Sequence, residues 1–276
     1  MKLWIFIKEV IRRVKRNDLI SMANALTFKL LISIFPFVIF LMTLIAFFNI
    51  DITQLSMDIT HNVPSQVQDI FRTFITEVFL TKRIDILSVS LLVYIFTASS
   101  GFYSFIKGLN RAYGVKEKRG YIYTRVISFF LVVMFTFAII LSIYILILSD
   151  VINALIIDYS VIKEIPTIFK SVWINIIMAF IMYITIVLVY KLGANMKISM
   201  LSVIPGAVFT ASAWLILSKG FNIYVNNFAE YSVVYGSIGG LFVFMFWLNL
   251  LSYVLLIGCQ INAILGDKAW MGENIK

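Results

Sequence analysis

Residues 126–149 read VISFFLVVMFTFAIILSIYILILS, a run of 24 residues without a charged side chain. At a rise of about 1.5 Å per residue, a helix of this length covers the roughly 30 Å hydrocarbon core of a bilayer. Transmembrane strands are only about 10 residues long and alternate between apolar and polar positions. The unbroken apolar run therefore predicts a transmembrane helix.

Five further apolar runs of similar length contain no Asp, Glu, Lys, Arg or His. They cover residues 30–49, 86–106, 172–190, 199–218 and 236–264. Hydrophobic residues make up 61% of the chain and charged residues 13%, whereas soluble domains carry about 25% charged residues. The sequence excludes a soluble protein. It predicts an all-α polytopic membrane protein, a single domain over 1–276 with six transmembrane helices.

The distribution of Lys and Arg predicts how these helices are oriented. Segments 1–29, 107–125, 191–198 and 265–276 carry 17 of the 23 Lys and Arg residues, and the opposite side carries six. Because basic loops stay in the cytoplasm, both termini are predicted to be cytoplasmic. The same bias explains the net charge of +9 without a nucleic-acid partner.

Residues 1–29 combine basic and apolar side chains at helical spacing, which predicts a basic amphipathic helix on the cytoplasmic membrane face. Trp4 and Phe6 favour membrane contact, and the alternative is a solvated basic tail. The cations expected to contact the anionic inner leaflet are Lys8, Arg12, Arg13, Lys15 and Arg16.

The extracytoplasmic loop 50–85 is the longest connection and has an amphipathic helical pattern at about 64–80. Its polar face carries few basic residues, so attraction to anionic lipid is weak. We expect this helix to lie at the interface against the bundle. The alternative is that residues 63–79 bind a partner protein.

Small and neutral polar residues mark three places within the predicted spans. Small residues let helices pack closely, whereas buried amides and an interrupted helical backbone are also features of cavities. For most of these positions, close packing and a cavity role both stay open. Asn249 and Gln260 are three turns apart on one helix face, and for these two residues we favour a cavity role. The candidates are Ser99, Ser100 and Gly101 in the second span, Pro205 and Gly206 in the fifth, and Gly236, Asn249 and Gln260 in the sixth.

The sequence contains none of the usual catalytic or cofactor-binding motifs. Cys259 and His61 are the single residues of their types, so neither a disulfide nor a zinc cluster is predicted. The uncharged spans also argue against a carboxylate proton relay. We therefore predict a protein that is not an enzyme and holds no metal and no cofactor.

Several motifs resemble those of a known bacterial family. They are ALTF at 25–28, SIFP at 33–36, SSGF at 99–102, LNRAYGV at 109–115, PGA at 205–207, YGSIGG at 235–240 and GCQINA at 258–263. Together they resemble the YihY/virulence factor BrkB family of bacterial inner-membrane proteins. This resemblance implies six spans with cytoplasmic termini in the inner membrane, which agrees with the charge distribution.

The resemblance also adds candidate site residues. Asn110, Arg111, Tyr235 and Asn262 lie in the matching motifs. Arg111 either holds a lipid phosphate through its guanidinium group or anchors its helix at the interface. Family members usually carry an acidic residue where this chain has Gln260, which puts coupling to a cation or proton through this position in doubt.

Three functional hypotheses follow. The first is transport or flipping of a lipid or lipid-linked amphiphile, through a cavity lined by spans two, five and six. The second is a structural or assembly factor that binds a membrane partner through residues 63–79, and a homo-oligomer is also open. The third is a membrane nuclease, because the family once carried the label ribonuclease BN, but the sequence has no carboxylate or histidine cluster for a catalytic metal.

Overall fold

The computed structural model describes residues 3–47, 84–159, 167–227 and 231–267, which form seven helices and no strand. A short basic helix, α1, precedes six long apolar helices. The bounds are Leu3–Arg16 for α1, Leu19–Phe47 for α2, Ile84–Ala112 for α3, Tyr121–Tyr159 for α4, Thr167–Gly193 for α5, Met200–Asn227 for α6 and Tyr231–Leu265 for α7.

Helices α2 to α7 are each long and apolar enough to cross a membrane, which confirms the predicted all-α, six-span architecture. The qualifying segments are Leu19–Leu44, Asp85–Ala112, Tyr121–Ile145, Val172–Gly193, Met200–Tyr224 and Gly240–Leu265. The amphipathic helix predicted at about 64–80 lies outside the described residues. The alternative of a partner bound through 63–79 therefore stays a prediction.

The first spanning helix begins earlier than the apolar run that predicted it. The chain turns at Asp18, whose φ of 50° lies in the left-handed region that Asp tolerates better than most residues. Helix α2 starts directly after this turn rather than at residue 30. The expectation of uncharged spans is therefore corrected at their ends: the helices extend past the apolar runs and include Lys29, Lys107 and Arg125.

Helix α1 is docked onto the end of α7. Glu9 is buried and accepts hydrogen bonds from Arg12 Nη2 at 2.8 Å and Arg13 Nε at 2.6 Å. Arg13 Nη2 also donates to Asp267 Oδ2 at 2.8 Å, just beyond α7. Among the five cations predicted to contact lipid, Arg13 is half-buried and the other four are exposed, although Arg12 also bonds Glu9. Trp4 is exposed as well, as expected of a helix at a membrane surface.

The spanning helices close into a ring. Each packs against its neighbours in the chain, and α7 returns to pack against α2, while α3 also contacts α5 and α7. Apolar side chains fill the contacts between helices, and large apolar side chains such as Leu92 and Leu201 are exposed on the outside. This distribution is the one expected when lipid, rather than water, surrounds the bundle.

The segments predicted to be cytoplasmic meet at one end of this ring. Arg111 Nη1 lies 3.7 Å from Asp18 Oδ2, and the backbone N–H of Asn195 donates to Asn110 Oδ1 at 2.7 Å. Helix α1, both short loops and the residue after α7 therefore share one end, which we call the basic end. The charge distribution predicts that this end faces the cytoplasm.

Helices α6 and α7 approach closely at two glycines. A Cβ atom at Gly206 would collide with the carbonyl of Gly258, and one at Gly258 would collide with the hydroxyls of Thr210 and Tyr190. The Tyr190 hydroxyl is hydrogen-bonded to Thr210 Oγ1 at 2.6 Å and donates to the carbonyl of Leu255 at 2.8 Å. Three helices, α5, α6 and α7, are thus joined at a point where only glycine fits.

We expect Gly258→Ala to lower the free energy of unfolding by about 1–3 kcal/mol, because the added methyl group must displace buried neighbours. Gly240→Ala is the matched control in the same helix, since a Cβ there meets no described atom within 4 Å. Thermal unfolding in detergent measures both. Equal midpoints for the two variants would contradict the close approach.

The stability of helix α1 should depend on pH, because Glu9 pairs with Arg12 and Arg13 of the same helix. Burial alone would raise the pKa of Glu9, but the hydrogen bonds and positive charges of Arg12 and Arg13 outweigh it and lower the pKa below 4.5. A carboxyl group with a lowered folded-state pKa stabilises the folded helix above its unfolded pKa, and this contribution is lost as the pH falls through the folded value. Hydrogen exchange of α1, corrected for intrinsic rates, should therefore rise below about pH 4.5. The same rise in Glu9→Gln would refute this mechanism.

Candidate functional site

A cavity of about 300 Å³ lies at the centre of the ring. Every spanning helix contributes to its wall, and none of the described lining residues is Asp, Glu, Lys, Arg or His. Its volume is at the lower end of the range for ligand pockets, about 300–1,000 Å³. One representative of each helix, in chain order, is Leu30, Phe102, Phe135, Ile186, Trp214 and Leu251.

The few polar side chains of the cavity wall are mostly already hydrogen-bonded. Ser33 donates to the carbonyl of Leu30 at 2.9 Å, and the Tyr94 hydroxyl is bonded to Thr136 Oγ1 at 2.9 Å. The exception is the indole Nε1 of Trp247, which is buried without a partner in the described part of the chain. The cavity can therefore accommodate hydrocarbon.

A row of neutral hydrogen bonds joins α2 to α7 beside the cavity. Asn249 Nδ2 donates to Asn24 Oδ1 at 3.0 Å and to Thr27 Oγ1 at 3.1 Å. The hydroxyl of Tyr253 donates to the same Asn24 oxygen at 3.1 Å, and Thr27 Oγ1 donates to Ser252 at 3.0 Å. We call these five residues the α2–α7 polar seam. Asn24 is exposed, so the seam reaches the outer surface of the bundle.

Gln260 and Asn262 lie nearer the basic end, and both are buried. Gln260 Oε1 accepts a hydrogen bond from Asn17 Nδ2 at 2.9 Å, which ties α7 to the α1–α2 turn. Asn262 Oδ1 accepts from the N–H of Gly206 at 2.6 Å, directly after Pro205 interrupts the α6 ladder. The remaining amide nitrogens of Gln260 and Asn262 have no partner among the described residues.

Asn110 joins the two short loops of the basic end. Its Nδ2 donates to Glu117 Oε2 at 2.6 Å, while its Oδ1 accepts from Asn195. Burial would raise the pKa of Glu117, but Arg119, together with the hydrogen bond from Asn110, lowers it overall. Arg111, in contrast, is about half exposed beside Asp18. The side-chain amide of Asn110 is thus hydrogen-bonded within the protein, whereas Arg111 is accessible to a lipid headgroup.

The second-span candidates lie where α3 packs on its neighbours. Ser99 is buried and donates to the carbonyl of Phe96 at 2.9 Å, within its own helix. A Cβ at Gly101 would lie 3.6 Å from Leu30 and 3.8 Å from Lys29 of α2, so this glycine permits close packing. Ser100 is half-buried.

None of the candidates with described side chains lines the central cavity. Tyr235 and Gly236 lie in α7, but their side chains are outside the described part. The residues that do line the cavity went unrecognised, because Leu, Ile, Phe and Trp fill lipid-facing and cavity-facing positions alike. Tyr190, which is fully buried and fastens three helices, was also missed. Tyrosine buried within a span, with its hydroxyl needing a partner, is the signal that could have found it.

No group of three His, Cys, Asp or Glu residues that could hold a metal ion occurs within the described ranges.

We expect Asn262→Leu to lower the free energy of unfolding by about 1–3 kcal/mol, because it leaves the buried N–H of Gly206 without its acceptor. Asn249→Leu is the matched change in the polar seam, and interhelical hydrogen bonds in membranes average about 0.6 kcal/mol. Denaturant titration in detergent compares the two. A larger effect of Asn249→Leu would show that the α6–α7 bond matters less than the seam.

Comparison with known proteins completes the description of the site. The chain is 31% identical over 266 residues to the ribonuclease-like protein YfkH of Bacillus subtilis, covering 95% of this chain and 96% of that protein. It is 24% identical over 276 residues to a UPF0761 membrane protein of Vibrio campbellii, covering 98% and 85%. No solved structure matches it. The family model described as virulence factor BrkB matches residues 10–274. With its six apolar spanning helices, the chain therefore belongs to the virulence factor BrkB family of multi-pass bacterial membrane proteins.

Proposed function

We propose that this protein binds a lipid or lipid-linked amphiphile in its central cavity and moves it across the membrane without enzymatic chemistry. The observation that carries the proposal is the cavity itself, about 300 Å³ and lined by all six spanning helices. Natural interiors are close-packed and contain few voids larger than a water molecule. A space of this size at the centre of a ring therefore needs an occupant or a use.

The chemistry of the cavity wall indicates which class of molecule it accepts. Ions in the hydrocarbon region need charged or abundant polar partners, and the wall has no charged side chain. Apolar cavities of this kind stay dry and take up apolar ligands. An acyl or isoprenoid chain fits these conditions better than an ion or a sugar does.

The α2–α7 polar seam supplies what the headgroup of such a molecule would need. Asn24 is exposed, Asn249 and Tyr253 are half-buried, and the same two helices contribute Leu30 and Leu251 to the cavity. A headgroup can exchange hydrogen bonds with the seam while its chain occupies the cavity. Because an amphiphile has one polar and one apolar end, this arrangement supports such a substrate.

The other two hypotheses have less support. The name of the Bacillus relative refers to a ribonuclease, but the described residues bring together no set of metal-binding side chains that nuclease chemistry would use. The assembly hypothesis depends on residues 63–79, which lie outside the described ranges. Neither the nuclease hypothesis nor the assembly hypothesis is supported by a structural feature comparable to the cavity.

We expect Ile34→Trp to slow transport about tenfold or more, because the indole occupies the space that the substrate needs. Ile34 lines the cavity. Ile32→Trp, two residues away on the same helix, is the matched control, since Ile32 is 45% exposed on the outside. The measurement uses liposomes with fluorescent phosphatidylglycerol, phosphatidylethanolamine or an isoprenyl phosphate, and an impermeant quencher that reports exchange between leaflets.

Two results would overturn the proposal. The first is that none of the three probes exchanges faster with the protein than in protein-free liposomes. The second is that Ile32→Trp and Ile34→Trp reduce exchange equally, since a nonspecific effect of tryptophan would then explain both.

A further inference from the structure

Three cations from three different helices lie together near the basic end. They are Lys29 of α2, Lys107 of α3 and Arg125 of α4, and the positive charges of Lys107 and Arg125 act directly on Lys29. None of the three forms an ion pair with a carboxylate in the described part of the chain. The other buried or half-buried arginines of this end, Arg13 and Arg119, each have one.

The surrounding side chains hold these cations in place. Lys29 Nζ donates to Ser104 Oγ at 2.5 Å, the Lys107 ammonium lies 4.5 Å from the ring centre of Tyr103, and the Arg125 guanidinium lies 5.3 Å from that of Phe96. Ser104 is eight residues before the end of α3, so Lys29 reaches a level about 12 Å below that end. Its Cβ lies beside Gly101 and its Nζ reaches Ser104, three residues nearer the basic end, so the side chain extends towards the basic end but stops below it.

Lys29 and Arg125 are half-buried and Lys107 is exposed, and bringing these like charges together is unfavourable by itself. Unlike a surface pair, charges at the edge of the hydrocarbon region are weakly screened, so their repulsion is strong. A bound anion would attract all three cations and so offset their mutual repulsion. Lysine and arginine together suit a phosphate group, because one is a compact donor and the other a planar fork.

The position of the cluster indicates what would carry the phosphate. Phe96 is 69% exposed and Tyr121, which packs edge-on against Tyr103, is 63% exposed, so the cluster opens towards the bilayer. Phe129 and Phe130 continue this exposed apolar surface along α4. Acyl chains can lie along it while the headgroup meets the cations.

We propose that Lys29, Lys107 and Arg125 form a binding site for a phosphate group on the outer face of α2, α3 and α4, presented by an anionic phospholipid headgroup or by free phosphate, with the exposed apolar surroundings favouring the lipid. This site is distinct from the central cavity, from Arg111 and from α1. It does not depend on transport, since a lipid bound here can be a permanent constituent of the bundle.

The test measures phosphatidylglycerol binding to the purified full-length protein by native mass spectrometry and by lipid-induced thermal stabilisation. Each removed cation should weaken phosphatidylglycerol binding about fivefold. Lys29→Gln and Arg125→Gln should each have this effect, and the double variant should bind about 25-fold more weakly than the parent. Lys29→Arg keeps the charge and should bind like the parent. Lys197→Gln is the control, because it removes an exposed cation from the same end but outside the cluster.

Further arms distinguish the sources of the phosphate. Phosphatidylethanolamine should bind more weakly than phosphatidylglycerol, and inorganic phosphate alone should not stabilise the protein if a lipid is the ligand. Stabilisation of the parent by inorganic phosphate, lost in the double variant, would support the site and assign it to a soluble anion. Equal phosphatidylglycerol binding by the double variant and the parent would overturn the proposal, as would an equal loss in Lys197→Gln. Liposome exchange that continues in the double variant would leave the transport proposal standing independently.

Discussion

Within a bilayer core there is no water to satisfy backbone N–H and C=O groups, so each must find a partner inside the protein. The long apolar helices meet this requirement along most of their length. Pro205 is an exception, because it cannot donate to the α6 ladder. Asn262 of α7 bonds the next N–H, that of Gly206, and glycines at 206 and 258 let the two helices come close enough for this contact.

The same constraint explains why the cavity is apolar. Several polar side chains of the spans join helices: Thr27 and Asn249 between α2 and α7, and Tyr190 between α5, α6 and α7. A bundle held together at its helix contacts by polar groups can leave its centre to hydrocarbon side chains. The uncharged wall therefore follows from where the hydrogen bonds are placed, and it determines which ligand class the centre accepts.

The six spans could be predicted because the signal is length and the absence of charge, both of which are visible in a run such as 126–149. The start of α2 could not be predicted in this way. The helix already begins directly after the turn at Asp18, and it includes the charged residue Lys29. The prediction that Asn249 and Gln260 share a face agrees with their bonds to Asn24 and Asn17 on the α1–α2 segment. The sequence could not show which apolar face points inward, since lipid and cavity select the same residues.

The structure shows groupings of basic residues that the sequence alone did not indicate. Lysines and arginines at span edges predicted topology, but their grouping depends on how helices pack. Gly101 brings α2 close to α3, and Lys29 then reaches Ser104. Arg13, predicted to face lipid, instead pairs with Glu9 and Asp267. Three-dimensional packing thus separates cations that form ion pairs within the fold from cations that have no carboxylate partner in the described part of the chain.

The central claim is that an amphiphile enters the cavity, and the most direct measurement is photocrosslinking from inside it. A photoreactive side chain at position 251 occupies a site that is only 3% exposed yet lines the cavity. After illumination in bacterial membranes, intact mass analysis should reveal adducts of lipid mass at this position. A position on the outer surface, Leu92, is 69% exposed and reports ordinary lipid contact. Adducts at 92 with none at 251 would contradict the account.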